Sequence, residues 1–550
     1  MIRAFVGNAQ VIRPRRVHTI NLVGSSGESV MSIEQARRQT LADLLRRSAR
    51  RFPTRMALEF GDVRWSYAEL DAVVDRLALS LQARGIVPGE RVAILSRNSH
   101  AFIAMRFALA RTGAVLVPVN FMLNAAEIAY ILRHSGARML CTDSEHAPVS
   151  REASAPDTQV DRFVWLPAAK GTPEPGMISF DQLCTPPEGA RWQEPALDAG
   201  MLAQILYTSG TESLPKGAML SHESVIQQYV SVMVAAEYSA DDTMLHAMPL
   251  FHCAQLDTFF GPMLYNGAQN VIIPAPVPEV VLGLIESRRI TSFFAPPTVW
   301  ISLLRSPAFS SHDLSSLRKC YYGASIMPVA ILQEMQQRLP SARFWNIYGQ
   351  TEIAPTATVL GPEDQIRKAG SAGRPVLNVE TMIADDDCVE VPRGTVGEIV
   401  HRSPQLLLGY LNDPKKTEEA FAGGWFHSGD LGVMDEEGYI TVVDRKKDMI
   451  KTGGENVASR EVEECIYRLA AVSEVAVVAL SDPRWVEAVT AVVVVKAGME
   501  LDEAAVIAHC RTELAHFKCP KRVIFAETLP RNPSGKILKR NLRIKYDATA

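Results

Sequence analysis

From Thr40 onward, apolar residues at helical spacing alternate with brief uninterrupted apolar runs. Thr40 can cap a helix that places Leu41, Leu44 and Leu45 on one face. Ser66 and Glu69 have capping-box spacing. The helix after them aligns Leu70, Val73, Leu77 and Leu81 and stops at Gly85. Pro88-Gly89 then turns the chain into a strand, Val92-Ala93-Ile94-Leu95. A helix from Phe102 to Arg111 and a strand from Val115 to Val117 continue the alternation. This rhythm predicts an α/β fold with parallel strands.

The pattern fades between Glu145 and Ala199, where Pro, Gly, Ala and acidic residues predict peripheral loops. Near the end, two β-branched runs (Val475 to Leu480 and Val489 to Val495) precede a helix from Asp502 to Leu514 and a strand from Val523 to Ala526. They predict a separate small α+β domain. The charged run Asp444-Arg445-Lys446-Lys447-Asp448 falls where the two parts join.

Length and composition narrow the reading. A chain of 550 residues is too long for one compact domain. Lys+Arg is 57 and Asp+Glu 61, a net charge of −4, which argues against nucleic acid or an anionic membrane as the main partner. No apolar run reaches about 18 residues, so a transmembrane segment is not expected. The eight cysteines form no C-x-x-C pair, which fits reduced thiols in a cytoplasmic enzyme. The first 30 residues hold Arg3, Arg13, Arg15 and Arg16 and no acid before Glu28. They read as a disordered leader (1–31), or as the product of an upstream start with Met31 the true beginning; a transit peptide is the alternative.

The richest chemistry lies in Tyr207-Thr208-Ser209-Gly210-Thr211-Glu212-Ser213-Leu214-Pro215-Lys216-Gly217, after the apolar strand Leu202 to Leu206. Hydroxyls and backbone N–H groups of such a loop can wrap phosphate oxygens, and Lys216 can supply a point charge. It is not a Walker A loop, whose glycine and lysine spacing differs. The segment resembles the phosphate loop of the adenylate-forming (AMP-binding) superfamily, in its acyl-CoA synthetase branch. Where the family reads Thr-Gly, this chain has Glu212-Ser213, which adds a negative charge and removes a flexible glycine.

The resemblance recurs in the family's order from about residue 35 to 545, and the roles below are those it implies. Pro249-Leu250-Phe251-His252 resembles the motif at the mouth of the acyl pocket, with His252 among the catalytic candidates. Amino-acid-activating relatives usually place an aspartate near this motif, so Phe251-His252 favours a plain carboxylic acid. Gly323, Ala324 and Ser325 resemble the adenine-binding turn, whose small residues admit a ligand closely. In Asn346-Ile347-Tyr348-Gly349-Gln350-Thr351-Glu352, Tyr348 would stack on adenine and Asn346 would bond its edge. Thr351 would donate to the α-phosphate, and Glu352 would hold Mg²⁺, with Thr208 a further candidate ligand. Asp430, in Trp425-Phe426-His427-Ser428-Gly429-Asp430, and Arg445 would take the ribose.

Lys447 matches the hinge. Gly453, Gly454 and Glu455 match the loop that builds the pantetheine tunnel for CoA. Ser459 replaces the usual proline of the next turn, which reads as a harmless loss of stiffness. Lys536, in Pro530-Arg531-Asn532-Pro533-Ser534-Gly535-Lys536, matches the catalytic lysine. The implied architecture is α/β: a large N-terminal AMP-binding unit of several subdomains over 32–445 and a small mobile C-terminal α+β cap over 446–545.

The implied reaction joins a carboxylic acid to CoA at the cost of ATP, giving AMP and pyrophosphate through an acyl-adenylate. A medium- or long-chain fatty acid is the favoured substrate and an aryl acid the next. Three rivals stand beside this reading: a fatty acyl-AMP ligase that loads a separate carrier protein, a light-emitting or other monooxygenase relative, and a nucleotide-binding regulator that has lost catalysis. The partners implied are the acid, ATP and CoA, without nucleic acid; a homodimer is kept open.

Overall fold

A computed structural model describes residues 36–154, 157–168, 171–208, 214–325, 327–453, 455–531 and 537–547. The leader therefore lies outside the described residues. So do Ser209, Gly210, Thr211, Glu212, Ser213, Gly454 and Lys536.

Two large sheets dominate. One has eight strands, in the spatial order Gly409–Tyr410, Lys216–Ser221, Leu202–Thr208, Val115–Pro118, Arg91–Leu95, Met139–Thr142, Arg162–Trp165 and Ile178–Ser179. From Leu202–Thr208 outward to Ile178–Ser179 every pairing is parallel, whereas Lys216–Ser221 returns antiparallel. The other has nine strands and a parallel centre that includes Lys319–Gly323 and Arg343–Gly349. There Thr356–Leu360 returns antiparallel to Arg343–Gly349. Both candidate nucleotide motifs thus leave the ends of parallel strands where the sheet switches direction, a common place for ligands in α/β folds.

The helix His100–Thr112 is buried at every residue. It packs in one core with Ala57 and Leu58 of the nine-stranded sheet and Val92, Ile94 and Leu116 of the eight-stranded one, so it lies between them. Local patterning explains the flanking helices. Ser66 and Glu69 form the expected capping box on Tyr67–Ala83, and Leu70, Leu77 and Leu81 are fully buried. Thr40 and Asp43 close a second box on Leu41–Arg51.

A four-stranded antiparallel sheet follows, ending in the pair Phe426–Met434 and Ile440–Arg445. The smaller C-terminal domain then pairs Val472–Asp482 antiparallel with Val486–Val495, and Arg522–Phe525 joins the latter in parallel. The helix Glu503–Glu513 packs on this sheet through Val506 and Cys510. Glu145 to Ala199 departs from the expectation of loops alone. It contains the strands Arg162–Trp165 and Ile178–Ser179 and the helix Ala147–Ala153. Pairing with Met139–Thr142 makes a strand of a segment whose own pattern is too short to announce one.

Candidate active site

Three turns and a hairpin build the site. Thr208, last in its strand, sits opposite Lys216. Lys216 Nζ lies 5.0 Å from the centre of the Tyr410 ring, and Tyr410 Oη donates to Glu352 Oε1 at 3.0 Å. Lys216 and the Thr351-Glu352 turn are therefore tied together through Tyr410. Glu352 is half-buried, and burial raises its carboxyl above the ordinary 4.5. Its own N–H, Tyr410, Arg445 and Lys216 pull the other way. Next to it, Thr351 Oγ1 lies 3.4 Å from Cys253 Sγ, whose thiol burial pushes up to about 12. Cys253 follows His252, so the acyl-side motif meets the Thr351 turn directly. His252 Nδ1 accepts from the Ala254 N–H at 3.1 Å.

The second cluster centres on Asp430. Tyr348 Oη donates to Asp430 Oδ2 at 2.7 Å, and Arg445 Nε lies 3.3 Å from Asp430 Oδ1. Burial and the neighbouring Asp430 both raise the Tyr348 phenol well above its ordinary range, so the hydroxyl stays a donor. Asn346 Nδ2 donates to the Ser371 carbonyl at 2.9 Å, a partner that sequence spacing does not reveal. Ser428 Oγ accepts from the Asp430 N–H at 3.1 Å, so the serine keeps a hydroxyl's work. Two glycines are required by space. A Cβ at Gly323 would stand 2.3 Å from the Ile347 carbonyl oxygen, and one at Gly349 would stand 1.9 Å from that of Pro355. Ala324 holds φ +63°, which turns the chain sharply after Gly323.

Behind the acyl-side motif, Ala254–Phe260 forms a π-helix, a form often found at functional sites. Its Asp257 is fully buried and pairs with buried Arg106. Gln204 Nε2 and Tyr229 Oη also donate to Asp257, at 2.8 and 3.1 Å. Phe259 and Phe260 are buried in two different cores, so both act as packing.

In the smaller domain, Gly453 turns the hairpin between Ile450–Thr452 and Glu455–Val457 at φ +59°. Its N–H donates to the Trp485 carbonyl at 2.8 Å, and a Cβ there would stand 3.0 Å from the Trp485 ring. Arg484 and Lys521 lie over the same ring, at 4.8 and 5.2 Å from its centre. Glu455 and Lys447 are exposed. Lys446 pairs with Asp386 at 2.8 Å, so the chain just before the hinge is tied to the large domain.

A model of the AMP-binding enzymes matches residues 45–411, and a model of their C-terminal domain matches 461–536. The chain belongs to the AMP-binding enzyme family. It is 37% identical over 510 residues to a feruloyl-CoA synthase of an Amycolatopsis species, covering 93% of this chain and 100% of that one. It is 38% identical over 495 residues to the long-chain-fatty-acid–CoA ligase FadD13 of Mycobacterium tuberculosis, covering 89% and 94%. The crystal structure of the anthranilate CoA ligase AuaEII with anthranoyl-AMP superposes with a TM-score of 0.86 at 26% identity, covering 93% and 98%. This AMP-binding enzyme is an AMP-forming acid–thiol ligase.

Sequence motifs located most of the clustered side chains of the AMP-binding enzyme. They did not reveal the contacts made by Cys253, Ser371, Trp485 or the Arg106–Asp257 pair. Nor did they reveal the bond from Tyr410 to Glu352. Among the described residues, no group of three or more His, Cys, Asp or Glu could hold a metal ion. Also among them, no helix is long and apolar enough to cross a membrane.

Proposed function

We propose that this ligase adenylates a hydrophobic carboxylic acid, a medium- or long-chain fatty acid first, and transfers the acyl group to CoA. The observation that carries the choice of a plain acid is Asp257. It is the aspartate near the acyl-side motif, and its carboxylate is fully buried and spent on Arg106, Gln204 and Tyr229. It is closed to a substrate ammonium. The 38% identity to a long-chain-fatty-acid ligase supports the fatty acid. The feruloyl-CoA and anthranilate relatives favour an aryl acid as the second reading.

Tyr348 packs against adenine, and Asp430 with Arg445 takes the ribose. Lys216 and Thr208 meet the outer phosphates. A carboxylate oxygen of the acid attacks the α-phosphorus, and pyrophosphate leaves. Thr351 donates to the α-phosphate as charge builds there. Glu352 is one carboxylate beside a phosphate site, a donor set that suits Mg²⁺, which takes its other oxygens from phosphate and water. With Thr208 as a further ligand, the ion would neutralise phosphate charge. Lys536 bridges the acid and the α-phosphate in this step. The CoA thiol then attacks the acyl carbonyl and AMP leaves. The Gly453 turn guides the pantetheine arm, and Trp485, Arg484 and Lys521 offer a cationic aromatic face at its side.

The test is pyrophosphate release with ATP and Mg²⁺ across fatty and aryl acids, with CoA present or omitted. CoA-dependent turnover with a thioester identified by mass is the expected result, fastest with fatty acids. Faster turnover of aryl acids selects the second reading. Adenylate without thioester, or no turnover with any acid, refutes the proposal.

A further inference from the structure

Ser459 stands where the family usually has proline, and its side chain is engaged on both sides. It opens the helix Ser459–Tyr467 and is fully buried. Its N–H and its Oγ both donate to Asp444 Oδ2, each at 2.7 Å. The same Oγ accepts from Lys539 Nζ at 2.5 Å, and Lys539 pairs with Glu463 at 2.8 Å. Proline could supply neither donor. Asp444 is itself buried, so these are charge-assisted bonds shielded from water.

Their position relative to the hinge gives them consequence. Lys446 is held to the large domain by its N–H on the Gly429 carbonyl at 2.9 Å. Asp444 lies before Lys447 and Ser459 after it. Any rotation of the smaller domain about Lys447 carries Ser459 away from Asp444. It also carries the Arg460 guanidinium away from the carbonyls of Val442 and Gly370. On the other side of Ser459, Lys539 lies three positions after Lys536 in the chain.

We propose that Ser459 is a positioning residue, a latch that fixes the present orientation of the smaller domain by clamping Asp444 and holding Lys539. It sets how readily the smaller domain turns about Lys447 between the adenylation and thioester-forming steps. This rests on the two-step reading above. A serine that merely capped its helix would affect stability and leave the balance of the two steps alone.

The experiment compares full-length wild type with Ser459→Ala, Ser459→Thr and Ser459→Pro in two ways. Hydrogen exchange is first measured without substrates. In Ser459→Ala, which loses the Oγ bonds to Asp444 and Lys539, peptides covering 446–458 and 539–547 should exchange at least about tenfold faster, the factor for even one lost hydrogen bond to a charged group. Peptides of Leu202–Thr208 should be unchanged, and Ser459→Thr should match wild type. Next come the rates of ATP–pyrophosphate exchange and of thioester formation from supplied acyl-AMP. Their ratio should move about tenfold in Ser459→Ala, at least as far in Ser459→Pro, and return to wild type in Ser459→Thr. Unchanged exchange at 446–458, faster exchange spread over the whole chain, or both rates falling in proportion would overturn the latch. If wild type forms neither product from any acid, the two-step reading fails, and the exchange data still decide whether Ser459 clamps the hinge.

Discussion

Tyr410→Phe removes one hydrogen bond and leaves its surroundings in place. The ring stays for Lys216 to lie over, while the 3.0 Å bond to Glu352 Oε1 is lost. That bond favours the ionised carboxylate, in opposition to the burial that raises the Glu352 pKa. A hydrogen bond to a charged group contributes about 1.5–3 kcal/mol, and the half-buried position of Glu352 selects the lower end. One pKa unit corresponds to about 1.4 kcal/mol, so the variant's Glu352 should titrate about one unit higher. The sign follows from the role. Adenylation needs the carboxylate, so activity is present above the pKa and lost as pH falls through it. Raising the pKa moves that loss to higher pH. The assay is ATP–pyrophosphate exchange between about pH 5 and 9 at saturating acid and limiting MgATP, where kcat/KM reports Glu352 in the enzyme before nucleotide and ion bind. ATP and the acid titrate equally with both proteins, so the difference between the two acid limbs belongs to the enzyme. Tyr410→Phe should shift that limb upward by about one unit and leave the alkaline plateau within about twofold. An acid limb that does not move, with a plateau that falls, would show that Glu352 is not the titrating group.

Three further outcomes follow from the same geometry. Asp257→Leu leaves the Arg106 charge buried without its carboxylate. It should destabilise the ligand-free chain by about 3–5 kcal/mol in denaturant unfolding, and the Arg106→Met/Asp257→Leu pair should cost clearly less. Lys536→Ala should abolish acyl-AMP formation while sparing thioester formation from supplied acyl-AMP; equal losses in both would remove Lys536 from the first step. Trp485→Ala should raise the KM for CoA about tenfold with the KM for ATP unchanged, as steady-state kinetics with each cosubstrate varied will read.

Elements whose signals are local in sequence were legible. The helix cap at Thr40, the capping box at Ser66, the turn at Gly85 and the β-branched pair of the smaller domain all appear where spacing places them. The π-helix did not announce itself. Adjacent Phe259 and Phe260 are buried in separate cores, so the segment is buried on more than one face and carries no single apolar stripe to read. The same limit applies to the site. Motifs located Tyr348, Glu352, Asp430 and Arg445, because each sits in a short run of characteristic order. The partners that tune them come from distant segments. Tyr410 is 58 positions from Glu352, and Arg106 is 151 from Asp257. Such pairs exist only once the sheets have brought their strands together.

The antiparallel pair Phe426–Met434 and Ile440–Arg445 shows why register matters more here than any single contact. Asp430 stands opposite Arg445, and Leu431 opposite Asp444. Successive strand residues face opposite sides, so Arg445 turns to the Asp430–Tyr348 cluster while Asp444 turns to Ser459. A bulge between Leu431 and Gly432 shifts the pairing from Leu431–Asp444 to Gly432–Val442. That shift fixes which of the two charged residues meets which side. Slipping the strand by one position would exchange them, placing Asp444 against Asp430 and taking Arg445 to the buried end of the Ser459 helix. Like charges would then meet beside Tyr348, and the serine would lose its acceptor. The Asp430–Arg445 pair and the Asp444–Ser459 bond are consequently set on two faces of one strand end by a single register.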